Sequence, residues 1–336
     1  MNIFKMSADA PGKFLGRRLV VFGAGYVGGA VAREAAARGM RVTALTRNPE
    51  KARVLAEAGV DAVVGELADD AWHGRIAERG ADFVLNCVSA GGGGLEGYRR
   101  SYVDGMRSVA GWAAKMRGLA GPGQRGIGML VYTSSTAVYP QTGGAVVGEE
   151  APCDGRATGG GGDGRARLLL EAERLALAMH AEGTARGVAV LRLAGIYGPG
   201  RHQLLDKLRD GADELPGRGD YYMNLVHRDD IVGAIWAAFS SPEAQGVFNI
   251  ADDSAATRGE ICGWLARQLG RAAPRFSGVA AGGRRGALLH RLIANRRAKA
   301  QLDWHLRYPT FREGYAPVLS RPSGDGRDDC CGSAGG

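Results

Sequence analysis

The segment LVVFGAGYVGGA at residues 19–30 decides how this chain is read. Leu19, Val20, Val21 and Phe22 run straight into Gly23, Gly25 and Gly28 complete a GxGxxG spacing, and alanine- and valine-rich sequence continues to Gly39. A strand, a tight turn and a helix are predicted in direct succession. The three glycines differ in what they allow. Gly23 makes the turn, Gly25 lets the backbone approach a pyrophosphate, and Gly28 permits close helix packing. The free amides and positive dipole end of the helix favour an anion at that point. Tyr26 and Val27, inside the turn, complete the predicted cofactor contacts of this segment.

Outward from this turn, short β-branched runs alternate with amphipathic stretches, the pattern of βαβ units and a parallel sheet. Strands are predicted at residues 19–22, 41–46, 61–65, 82–88, 129–134 and 188–193, giving an α/β doubly wound sheet with a smaller C-terminal substrate cap. Asn48 and Pro49 read as the N-cap and first turn of a helix that stops at Gly59. Thr257 and Glu260 have capping-box spacing ahead of another helix. After the second strand, where an NAD-selective site carries a carboxylate for the ribose hydroxyls, the chain reads Thr46, Arg47, Asn48. An arginine suits a 2′-phosphate and stacks on adenine, so NADP(H) is predicted, with NAD as the alternative.

The organisation expected is an N-terminal extension (1–17), a dinucleotide-binding unit (18–195) with a glycine-rich mobile loop at 142–164, a mixed segment completing the sheet and forming the cap (196–319), and a disordered tail (320–336). A second glycine-rich loop is expected at 278–286. The five cysteines show no CxxC pair and no histidine at metal spacing, so no metal is predicted. The opening residues hold no apolar stretch of signal-peptide length, and no run approaches a membrane span. A cytoplasmic location is the expectation, with an organelle stroma or matrix as the alternative. The net charge is +8, yet the basic residues around Arg284, Arg285, Arg291, Arg296, Arg297 and Lys299 carry no interleaved aromatic platform, and they read as a solvated helix face rather than a nucleic-acid surface. The partner expected is a small molecule; the oligomeric state is left open.

Over roughly residues 18–319 the chain resembles the extended and atypical short-chain dehydrogenase/reductases, the NAD-dependent epimerase/dehydratase group. The resemblance rests on GAGYVGGA, on Gly65, Glu66 and Leu67 after the third strand, on NCVSAGG, VYTSSTAVYP and LRLAGIYGPGR after the next three, and on NLVHRDDIVGAIWAAF, GVFNIADD and LDWHLRYPTFREG towards the end. It implies that Glu66 and Leu67 lie near the adenine, that Asn86, Cys87 and Ala90 line the cofactor, and that Tyr197, Gly198 and Pro199 face the nicotinamide. It also implies that Ser135 is the catalytic serine, that His227 either sits at the substrate cleft or is a hydrogen-bonded structural histidine, and that Asp230 caps the helix it opens.

One departure matters. Enzymes of this kind place Tyr and Lys four residues apart on the helix after the fifth strand, because one helical turn brings phenol and ammonium to the same substrate and ribose. Here that helix reads GRARLLLEAERLALAMH, with Arg165, Arg167 and Leu169 near the expected places according to whether Glu171 or Glu173 sets the register. Arg165 or Arg167 is read either as orienting an anionic substrate or polarising a carbonyl, or as a solvent-facing helix start, and Tyr139 as the nearest phenol that could substitute, with loop packing as its favoured reading. The functional expectation is an NADP(H)-dependent oxidoreductase or epimerase-like enzyme acting on a small polar or sugar-linked substrate. The alternative is a catalytically silent NADP(H)-binding sensor.

Overall fold

The computed structural model describes residues 12–76, 80–119, 126–153, 164–241, 243–278 and 290–320. Its centre is a seven-stranded sheet: β1 (Arg18–Phe22), β2 (Arg41–Thr46), β3 (Asp61–Val64), β4 (Ala81–Asn86), β5 (Ile127–Ser135), β6 (Ala185–Leu193) and β7 (Gly246–Ile250). The spatial order is β3-β2-β1-β4-β5-β6-β7 and every pairing is parallel. Strand order runs outward in both directions from β1, so the crevice at the carboxyl ends of β1 and β4 is the topological switch point where α/β sheets bind ligands. The six strands read from the sequence all lie in this sheet. The seventh, β7, falls in a motif that carries the family resemblance but is not predicted as a strand, because five residues of GVFNI are too short to declare their period.

Both faces of the sheet are buried, and the alternation of the strands shows how. Leu19, Val21, Met129 and Val131 enter one core with Val31 of the helix Gly28–Ala37 and Phe239 of the helix Arg228–Ser240. Val20, Phe22, Leu130 and Tyr132 enter the other with Met106 and Trp112 of the helix Gly105–Leu119 and Ala176 of the helix Arg165–Ala181. Near-continuous apolar strands are the expected consequence of helices on both sides. A third, smaller core gathers Tyr197, Leu205, Ile261, Leu265, Phe311 and Tyr315 in the C-terminal part of the chain. Phe14, in the N-terminal extension, is 4% exposed and packs edge-on against Trp236.

The caps behave as their residue types require. Asn48 accepts from the Lys51 amide, and Thr257 with Glu260 forms a complete capping box. Asp230 does not cap its helix. His227 occupies the N-cap and accepts from the Asp229 amide, while the Asp230 carboxylate accepts from the amides of Arg307 and Tyr308 and so ties down the returning C-terminal segment. The 142–164 stretch is also not wholly loop: Ala145–Val147 pairs in parallel with Arg291–Ile293, and residues 154–163 lie outside the described residues. That pairing buries Arg291, which reaches the carbonyls of Thr136 and Gln141 instead of facing solvent, because a strand placed there points alternate residues inward. Of residues 278–286 only Gly278 is described, and the tail beyond Ser320 lies outside the described residues. Among the described residues no helix is long and apolar enough to cross a membrane.

Candidate active site

Sterics separate the glycines of the first turn. Gly23 has φ +86°, and a Cβ there would lie 2.7 Å from the backbone of Val88. A Cβ on Gly28 would lie 2.3 Å from the Gly23 carbonyl oxygen. A Cβ on Gly25 would meet nothing within 4 Å, so the turn is closed on its inner side and open on its outer side. The helix that follows has no side-chain N-cap and no acidic residue in its first turn. Its amides and positive dipole end therefore face this opening without a competing anion, and the cradle suits the diphosphate of a dinucleotide. Val27 is buried in the core, whereas Tyr26 is half-buried, donates to the Pro199 carbonyl at 2.9 Å and lies beneath the guanidinium of Arg228.

Beside the glycine turn, three separate turns meet. Arg47, exposed at the end of β2, pairs with Glu66 at 3.6 Å and lies against Gly91, where a Cβ would approach its Nη2 to 2.9 Å. Glu66 comes from the turn after β3 and is also 4.0 Å from Arg100. The carboxylate missing from the sequence after β2 is thus supplied from elsewhere, as the partner of Arg47. Leu67 is buried, and its carbonyl accepts from Trp72. Asn86 is buried with its amide on the Met106 sulfur, so it shapes the end of β4 from beneath. Cys87 lies beside Gly23, and burial raises its thiol above the ordinary range.

Ser135, at the end of β5, is half-buried and accepts from the Ala137 amide at 3.1 Å, which fixes the short turn that follows. Its neighbour Ser134 donates to buried Glu173 at 2.6 Å, and Glu173 forms a two-point pair with Arg192 of β6. Glu171 instead reaches the exposed Arg107. Glu173 is therefore the residue locked against the sheet, which puts Arg165 and Leu169 eight and four residues before it. Leu169 is 4% exposed and belongs to the core. Arg165 is exposed with its guanidinium 5.0 Å from the Tyr98 ring centre, and Arg167 is exposed one helical turn before Glu171.

Two expected phenols are buried. Tyr139 is 1% exposed, donates to Asn249 Oδ1 at 2.7 Å and lies under the Arg192 guanidinium, so it is a core residue. Tyr197 is also buried, stacked on Tyr315 with its hydroxyl turned to Gly314, where even one added carbon would collide with it. Both follow from packing: a large ring next to a strand end gains more by burial than a loop position gives it in water. Tyr98 and Tyr102 are the phenols not anticipated from the sequence, four residues apart around the π-helical segment Arg99–Asp104. Their spacing was the available signal. Tyr102 is half-buried, and its oxygen receives the Ala90 amide at 3.5 Å.

Behind the cleft, His227 is buried and burial lowers its pKa to about 4, while Asp252 is pushed up to about 8 and Asp230 to about 6, again by burial. Among the described residues no cluster of three or more His, Cys, Asp or Glu is arranged to hold a metal.

Comparison with known proteins agrees with this geometry. Protein YeeZ of Escherichia coli K12 is 27% identical over 304 residues, covering 87% of this chain and 97% of that protein. The 2-alkyl-3-oxoalkanoate reductase of Stenotrophomonas maltophilia is 31% identical over 236 residues, covering 66% of this chain and 65% of the reductase. Among solved structures, MoeE5 in complex with UDP-glucose and NAD superposes with a TM-score of 0.72 at 25% identity, covering 90% of this chain and 97% of MoeE5. A family model described as NAD dependent epimerase/dehydratase family matches residues 19–251. With the glycine turn, the parallel sheet and this match in agreement, the chain belongs to the NAD-dependent epimerase/dehydratase family.

Proposed function

We propose that this protein is an NADP(H)-dependent oxidoreductase or epimerase-like enzyme acting on a small polar or sugar-linked substrate. The observation that carries the reading is the open outer side of Gly25 beside an uncapped helix start. When bound, the nicotinamide supplies hydride transfer. The chain's own residues do the rest. Amides of the glycine turn and first helical turn hold the diphosphate, and Cys87 and Ala90 wall the cleft. Ser135 donates a hydrogen bond to the reacting oxygen of the substrate, and Arg165, with Arg167 beside it, attracts a substrate that carries negative charge.

Preference for the phosphorylated cofactor rests on Arg47, which is exposed, has Glu66 as its ion-pair partner, and is flanked by Thr46 and Asn48 rather than by a carboxylate. A 2′-phosphate offers it a stronger partner than a single carboxylate 3.6 Å away. Titration of the protein with NADPH and NADH, followed by nicotinamide fluorescence, tests this. Tighter binding of NADPH is expected, with Arg47→Ala weakening NADPH by roughly 10- to 100-fold, the value of one or two charge-assisted hydrogen bonds, and leaving NADH nearly unchanged. Equal affinities, or an Arg47→Ala protein with the same preference, would refute the NADP(H) assignment. Burial of Leu169 where a lysine belongs supports a second reading, a silent NADP(H)-responsive binder. It predicts cofactor binding with no turnover on any carbonyl or nucleotide-sugar substrate.

A further inference from the structure

With Tyr139 and Tyr197 buried and Leu169 in place of a lysine, the reaction proposed above has no proton donor at its usual position. A different phenol stands on the helix that begins beyond the glycine-rich loop of β4. Its segment Arg99–Asp104 is wound as a π-helix, the rare winding in which one extra residue per turn re-aims side chains and which is concentrated at functional sites. This segment packs on the start of the helix Arg165–Ala181, the helix that ordinarily carries the Tyr-Lys pair. Tyr98 and Tyr102 lie with ring centres 5.2 Å apart, and Arg165 covers the Tyr98 ring.

Tyr102 is the inner member of the two. It is half-buried, packs against both cores of the sheet and lies close enough to Cys87 for the two groups to interact electrostatically. Its oxygen meets the Ala90 amide, in the loop that walls the cleft beside Gly23. In that contact the amide donates. The hydroxyl hydrogen is left over, and among the described residues no acceptor takes it. A partly buried hydroxyl with an unused hydrogen, held at the edge of a dinucleotide cleft, is matched to an oxygen that arrives with a ligand.

We propose that Tyr102 is the proton donor of this protein, standing in for the absent tyrosine of the Tyr-x-x-x-Lys pair. The assignment rests on the oxidoreductase reading above. As the carbonyl carbon of the substrate takes the hydride supplied by reduced nicotinamide, the Tyr102 O–H bond breaks and its proton passes to the carbonyl oxygen. The carbonyl is reduced to an alcohol, the dihydronicotinamide is oxidised, and the phenolate recovers its proton from water. Burial holds the Tyr102 phenol above its ordinary value, with the Tyr98 hydroxyl and the Cys87 thiol acting in the same direction and the Ala90 amide opposing them. The group is consequently a standing acid at neutral pH, suited to reduction more than to the reverse reaction.

Tyr102→Phe, which keeps the ring and removes only the hydroxyl, tests the assignment on full-length protein. Four quantities are read: NADPH affinity, melting temperature, turnover with a panel of aldehydes and ketones, and nitration of Tyr102 by tetranitromethane, mapped by peptide mass with and without NADPH. The expected result is a kcat lowered by about 100-fold or more, an NADPH affinity and melting temperature close to wild type, and nitration of Tyr102 that falls as NADPH saturates. A Tyr102→Phe protein that turns over as fast as wild type, or nitration indifferent to NADPH, overturns the assignment while leaving the oxidoreductase reading in place. Wild-type protein that binds NADPH but reduces no carbonyl overturns both.

Discussion

A single carbon added at Gly25 and the same carbon added at Gly28 have opposite meanings. At Gly28 the new methyl would press on the Gly23 carbonyl oxygen, a backbone atom that cannot move without opening the turn. Gly28→Ala is expected to destabilise the fold by about 1–3 kcal/mol or more, as overpacking does, measurable as a shifted denaturant midpoint. At Gly25 the methyl enters open space and costs the fold little, but it occupies the side from which a diphosphate approaches. Gly25→Ala is expected to keep the wild-type midpoint and lose about tenfold or more in dinucleotide affinity, roughly 1.4 kcal/mol. A Gly25→Ala protein with undiminished affinity would mean that the cofactor does not lie against this turn. Arg47 and Tyr102 are likewise matters of one side chain, since each is assigned one functional group acting on one ligand atom.

Among the helices and strands, the buried pair Glu173–Arg192 fastens the helix Arg165–Ala181 to β6, and Ser134 fastens it to β5. The pair is closed on both sides, with Glu173 only 3% exposed and Arg192 6%. Glu173→Gln leaves the guanidinium buried without a compensating charge, and a loss of about 3–5 kcal/mol is expected. Replacing both partners, as in Glu173→Leu with Arg192→Met, is expected to recover most of that loss, because two buried charges are removed together. Equilibrium urea unfolding of the single and double variants decides the matter, and equal losses in both would show that the pair does not hold the helix. This fastening is also what fixes the register of the helix and so places Arg165 at its exposed start and Leu169 in the core. The π-helical turn opposite it is the second such device, since its winding sets where Tyr102 points.

Across the full chain, the C-terminal segment returns to close over the third core, held by Asp230 on the amides of Arg307 and Tyr308 and by Trp304 on the Asp230 carbonyl. Asp252 lies within this closure with one carboxylate oxygen bonded to the Ser254 amide and the other buried without a partner among the described residues. Because burial raises its pKa to about 8, the folded state keeps a proton that the unfolded chain releases near pH 4. Its contribution to stability is full below about pH 4 and is lost as pH rises towards 8. His227 acts in the other direction: neutral when folded down to about pH 4, it contributes fully above its unfolded value near 6.5 and loses that contribution as the medium acidifies. Below about pH 6.5 the two slopes oppose each other, and Asp230, raised by burial to about 6, adds a loss of its own as pH rises. Thermal stability should therefore fall most plainly on the alkaline side, between about pH 6.5 and 8, where Asp252 acts alone. Asp252→Asn is expected to flatten the alkaline side and to raise stability at pH 8 by on the order of 1 kcal/mol or more; an unchanged alkaline decline would show that Asp252 is not its source.

Legible in the chain alone were the α/β sheet, the succession of its first six strands, the glycine turn and the helix caps at Asn48 and Thr257. Each of these is written in contiguous residues, through period, glycine spacing or side-chain capping, and needs no distant partner to be read. Which distant groups meet was settled by folding. Packing took Tyr139 and Tyr197 into the cores, gave Arg47 a carboxylate from another turn, buried Arg291 in a strand pairing across about half the chain, and turned Asp230 from a cap into an anchor. Whether a polar side chain faces a ligand or another residue depends on what packs against it from elsewhere, and local sequence carries no record of that neighbour. Tyr102 is the clearest case: its spacing from Tyr98 is visible in the chain, but its meeting with Ala90 at the cleft exists only once the sheet has closed.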